Sequence, residues 1–165
     1  MPLKHELSAL VSRRIEEMGL NPLRLADLAQ VRPEIVEALL RTEDTAISIA
    51  EAEKIANAVG LAIGVLGNRR EKDGDAQSFH VAAQTASTSY RDLIPINVMR
   101  EALVTGQVSL DYRPHIRTLL DEASVGLLAR LADEIYRVSG SSPRTTWQIM
   151  RKVAAELACD RSLWH

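Results

Sequence analysis

Histidines, carboxylate pairs and a single thiol are the side chains from which this chain would build a reactive centre, and their spacing does not assemble one. His5, His80, His115 and His165 are scattered, and none stands at i, i+4 from another metal-ligating type in a cluster of the kind that holds zinc. Asp121-Glu122 and Asp133-Glu134 are adjacent pairs, which point in different directions from a helix and fit solvated faces better than acid–base work. Cys159 stands near the end of an apolar stripe and reads as a small core or interface residue. A glycine-rich phosphate loop and a nucleophile elbow are both missing. The expectation is a protein that is not an enzyme, with no cofactor and no metal.

Recognition is a better match than catalysis, and residues 21–41, NPLRLADLAQVRPEIVEALLR, carry it. The spacing predicts two short helices joined by a tight turn. Asn21 can accept a backbone N–H as an N-cap, and Pro22 at the first helical position gives up a donor that had no partner anyway. Leu25, Leu28 and Ala29 mark the inward stripe of the first helix. Pro33 opens the second, whose stripe is Ile35, Val36, Leu39 and Leu40. Between them Gln30, Val31 and Arg32 leave room for only a few residues of turn. This is the layout of a helix-turn-helix, whose second helix can enter a DNA major groove.

The same stretch resembles the helix-turn-helix of the Cro/C1 phage-repressor (XRE-like) family. Leu25-Ala26, Ala29, Val31, Val36 and Leu39 match packing positions of that family, and Ser48-Ile49-Ala50-Glu51 with AEKIANAVG at residues 52–60 matches its fourth helix and closing glycine. The resemblance spans about residues 7–66 and leaves the second half unmatched. It implies a five-helix, lambda-repressor-like domain that docks on double-stranded operator DNA. Pro22 takes the place of the family's polar phosphate contact, and Arg32, Pro33, Glu34, Glu37 and Ala38 take the base-facing places. Arg32 would reach guanine, and a Glu would accept from cytosine N4, although two carboxylates also repel phosphate. Arg24, Arg41, Arg13 and Arg14 are the expected backbone contacts.

These elements must be positioned by the rest of the chain, which reads as helical throughout. With 46% apolar and 4% aromatic residues, a core of Leu, Ile, Val and Ala favours packed helices. A first helix is predicted over residues 4–18, with Gly19 at its end. Ser48 and Glu51 form a capping box for helix four, which Gly60 ends, and a fifth helix would cover residues 62–66. Residues 67–78, GNRREKDGDAQS, lose the apolar period, which places an N-terminal domain at 1–67, a linker at 68–78 and a helical domain at 79–165. The second domain should hold helices over 79–90, after Pro95, after Pro114, after Ser124 and after Ser142-Pro143, with a short strand as an option over 108–112. Its Ser124-capped helix would turn Leu127, Leu128, Leu131, Ile135 and Val138 inward. About five helices in so few residues leave apolar faces to spare, so Leu127, Leu128, Leu131, Trp147 and Trp164 are expected at a homodimer or partner interface.

Net charge is −2, and neither half is basic: residues 1–74 carry 10 Lys/Arg against 12 Asp/Glu, and residues 75–165 carry 10 against 10. DNA contact would therefore depend on a local patch. A lone cysteine, the lack of a signal-peptide run and the lack of a membrane-length apolar stretch fit a soluble cytoplasmic protein. The leading expectation is an all-α, homodimeric DNA-binding regulator of the repressor or antitoxin type. The alternative is a protein-binding antitoxin that neutralises a partner toxin through its second domain and leaves the helix-turn-helix unused on DNA.

Overall fold

The computed structural model describes residues 2–43, 46–63 and 77–165, and the regular elements among them are all helical. The chain divides into two compact units, Met1–Asn68 and Arg69–His165.

The first unit holds α1 (Pro2–Met18), α2 (Pro22–Ala29), α3 (Pro33–Leu40) and α4 (Ile49–Ala58). Each start has a local cause. Asn21 accepts the Arg24 backbone N–H at 2.8 Å, and Pro22 sits in the first turn of α2. Ser48 accepts from the Glu51 N–H while the Glu51 carboxylate accepts from the Ser48 N–H at 3.0 Å, which completes the capping box of α4. α2 packs on both α3 and α4, and α1 packs on α3 and α4. Val11, Met18, Leu25, Val36, Leu39, Ile55 and Val59 meet in the resulting core. Each such side chain contributes about 1.5–3 kcal/mol on leaving water.

Two helix ends in this unit use a non-glycine residue in the left-handed region. Gln30 (φ 54°) ends α2 and lets the Val31 N–H reach back to the Ala26 carbonyl at 3.1 Å. Thr42 (φ 54°) does the same after α3, with the Glu43 N–H on the Ala38 carbonyl at 3.1 Å. The expected fifth helix is not seen where the chain is described: residues 61–63 are irregular, and 64–66 lie outside the described residues. The expected linker, 68–78, also lies outside them except for Gln77 and Ser78, which already belong to the next helix.

The second unit holds α5 (Gln77–Ala86), α6 (Ile96–Thr105), α7 (Arg113–Glu122), α8 (Val125–Ser139) and α9 (Pro143–Glu156), with single 3-10 turns at Leu110–Tyr112 and Ser162–Trp164. α5 lies against α6, α7 and α8, and α9 against α6, α7 and α8. Ser124 and Ser142 cap α8 and α9 by accepting the Leu127 and Thr145 N–H groups at 3.1 and 3.2 Å.

Three expectations for this unit are corrected. α5 stops at Ala86 and does not run to Tyr90, because the Ser87 hydroxyl accepts the Ile94 N–H at 3.0 Å and holds the chain in a turn. Residues 108–112 form no strand: Leu110–Tyr112 is a 3-10 turn leading into α7. Val138 is exposed, since the last turn of α8 extends past the helices it packs on.

The end of the chain is latched to the C-terminus of α7. The Arg161 guanidinium donates to the Ala123 carbonyl at 2.5 Å, and the Trp164 indole N–H donates to the Leu120 carbonyl at 3.0 Å. Both fill carbonyls that a helix end leaves open. Burial lowers the Arg161 pKa, and the Asp121 carboxylate partly offsets that.

Candidate nucleic-acid interface

α3 is buried along one side and charged along the other. Ile35, Val36, Ala38 and Leu39 face the core, whereas Arg32, Glu34, Glu37 and Arg41 are exposed. The pattern follows from setting eight residues on two turns: an inward side that packs on α1 and α2 leaves 34, 37 and 41 together outside. Arg32 is the N-cap residue, in extended conformation and making no side-chain cap hydrogen bond. Its charge helps to hold the Glu51 carboxyl below the ordinary carboxylate range, behind the larger effect of the hydrogen bonds from Ser48. Contrary to the base-facing place that the resemblance implies, Ala38 is 4% exposed and packs inward.

The expected backbone contacts are differently placed. Arg41 lies between two carboxylates, 3.5 Å from Glu37 and 3.7 Å from Glu43. Arg13 and Arg14 both bond Glu17, each at 2.9 Å. Arg13 is open to solvent, while the Arg14 side chain is only 15% exposed. Arg24 is half-buried in the first turn of α2. The Arg41 pairs are exposed on both sides and contribute at most about 1 kcal/mol each. They do lower the positive potential of this face before any ligand arrives.

The five residues expected at a partner interface are corrected as a group. Leu127, Leu128, Leu131, Trp147 and Trp164 are all 7% exposed or less, inside the core of the second unit. Trp147 and Trp164 face each other with ring centroids 6.0 Å apart. The apolar stripe of α8 is broad because α5, α6 and α9 all pack against it, and they cover these leucines.

Sequence spacing missed one feature of the second unit. A cleft of about 530 Å³ runs along α7, with Arg113, Arg117 and Thr118 on its wall, Asp121 further along, Tyr90 at its edge and Leu157 beside it. Tyr90 is held by stacking on His115 at 4.1 Å, and His115 bonds the Asp92 carbonyl at 3.1 Å. Arg117 already pairs with Asp121 at 3.6 Å and Asp160 at 3.4 Å, so the cleft satisfies much of its own charge. Contacts between positions 90, 115 and 160 come from folding and have no local signature.

Cys159 is buried beneath this region, and its pKa is pushed up to about 11, first by burial and then by the Asp121 charge. It is an unreactive thiol at neutral pH. Among the described residues no group of three or more His, Cys, Asp or Glu is placed to hold a metal ion, and no helix is long and apolar enough to cross a membrane. No family model, curated protein or solved structure matches the chain.

Proposed function

We propose that the chain is a DNA-binding transcriptional regulator, of the repressor or antitoxin type, that reads operator DNA with α3. The observation that carries this reading is the pairing of α2 and α3 across a three-residue turn, with Arg32, Glu34, Glu37 and Arg41 on the open side of α3. A helix so presented suits the major groove, where its first residues meet base edges. Two copies would address half-sites about 34 Å apart. Their contact would use surfaces other than the buried Leu127, Leu128, Leu131, Trp147 and Trp164.

The test is fluorescence anisotropy of the full chain on the promoter DNA upstream of its own reading frame, over a range of salt concentrations. Binding should weaken steadily with salt, and Arg32→Ala should lose about 1–3 kcal/mol at one base position. Absence of binding to any promoter segment at low salt would overturn the proposal.

A second reading is a protein-binding antitoxin that grips a toxin and makes no use of α3 on DNA. It is favoured by one observation: Arg13, Arg14 and Arg41 are each already paired with a carboxylate of their own unit. Copurification of a defined toxin in stoichiometric amount, with no promoter binding, would establish it.

A further inference from the structure

The ion pair on the outer side of α3 carries a more specific consequence, which rests on the DNA-reading proposal above. We infer that Glu37 is a base-reading residue for cytosine, and that Arg41 positions Glu37 and does not serve as an independent phosphate contact. A lone carboxylate in a major groove is repelled by phosphates on both sides. Glu37 is not alone, because the Arg41 guanidinium lies one helical turn along, 3.5 Å from its Oε2. The pair neutralises the carboxylate and restrains its rotamer.

This contact uses Oε2, and Oε1 projects from a side chain that is 48% exposed. A carboxylate oxygen can only accept. In the major groove the donors are cytosine N4 and adenine N6, whereas guanine presents O6 and N7 and thymine presents O4, all acceptors. Adenine also carries the N7 acceptor beside its amine, which repels a carboxylate and leaves cytosine as the fitting base. Arg41 also lies 3.7 Å from the Glu43 carboxylate, beyond the left-handed Thr42. Both carboxylates beside Arg41 thus belong to its own unit.

The experiment is selection of binding sites by the full chain from a library of randomised duplex DNA, run in parallel for the natural protein, Glu37→Gln, Arg41→Ala and the double variant. Both substitutions are at exposed positions, and circular dichroism checks that each variant is folded. The natural protein should enrich sites with cytosine at one fixed position of each half-site. Glu37→Gln should shift that position to adenine, because an amide can pair with both N6 and N7, with a preference change of about tenfold. Arg41→Ala should weaken the cytosine preference at that position, and it should have little further effect once Glu37 is Gln. An unchanged base at every position in Glu37→Gln would overturn the role of Glu37. An equal loss from Arg41→Ala in both backgrounds, with the salt slope reduced by about one, would make Arg41 a phosphate contact and overturn its positioning role. If the natural protein enriches no sequence at all, the DNA-reading proposal fails together with this inference.

Discussion

Helices α2 and α3 of the first unit end by a different means from α6 and α8 of the second, although the first unit also places Gly19 and Gly60, and the second Ala158, in the left-handed region. α2 and α3 are eight residues each, and Gln30 and Thr42 end them in a backbone region that non-glycine residues occupy at a cost. α6 and α8 of the second unit end at Gly106 and Gly140, where the same conformation is free of that cost. The short helices of the first unit keep four charged side chains outward around α3. In the second unit α8 and α9 bury most of their apolar residues against neighbours, and the tail adds Trp164. The contrast is thus between the charged outer side of α3 and the apolar faces that α8 and α9 bury.

The largest expected effect tests the packed side of this contrast. Trp164→Ala removes a buried indole, its contact with Trp147 and its hydrogen bond to the Leu120 carbonyl. It should destabilise the second unit by about 3–5 kcal/mol. Urea unfolding followed by the emission of the remaining Trp147 measures this directly, and a loss below about 1 kcal/mol would mean the tail is not part of the core.

A smaller effect is expected where the second unit uses glycine. Gly140 stands at φ 73° with open space where a Cβ would project, so Gly140→Ala isolates the backbone cost alone. Stability should fall by about 1 kcal/mol in thermal unfolding. The first unit should respond in the opposite direction. Gln30→Gly relieves a left-handed glutamine and should stabilise by a few tenths to about 1 kcal/mol, the gain being limited by the greater freedom of glycine in the unfolded chain. If Gln30→Gly destabilises instead, its exposed side chain makes a contribution that the αL geometry does not account for.

The smallest effect sharpens the role of capping in the first unit. Glu51 has its pKa lowered chiefly by hydrogen bonding to Ser48. A folded-state pKa below the unfolded value gives stability that is present above the unfolded pKa and is lost as pH falls through the folded one. The natural protein should therefore lose a small increment of stability on acidification below the ordinary carboxylate range. Glu51→Gln should lack that increment, which paired denaturation curves at neutral and acid pH would measure.

Much of the helical layout was legible because its signals are local. Asn21-Pro22, the Ser48 to Glu51 capping box, Ser124 and Ser142-Pro143 start helices through bonds to residues three positions away. The stop after α5 was not legible, because it depends on Ser87 reaching Ile94 across a turn. The misplacement of Leu127, Leu128, Leu131, Trp147 and Trp164 has a related cause. An apolar stripe shows that a face is covered but not by what, and here other helices of the same unit cover it.

The candidate site divides in the same way. Arg32, Glu34, Glu37 and Arg41 were legible as the polar side of a short helix, since a period of 3.6 residues follows from the chain alone. Ala38 was not, because a small residue at the edge of a stripe turns inward or outward according to its neighbours. The clamp of Arg41 between Glu37 and Glu43 also needed the structure, as the left-handed Thr42 turns the chain back after α3.

The sequence by itself determined where most helices begin and which residues of α3 carry charge, because caps, prolines and helical periodicity act over a few residues. Tertiary structure alone decided which apolar faces are core and how the tail closes on Leu120 and Ala123. Those outcomes join residues tens of positions apart, and their energies exist only once packing has excluded water between them.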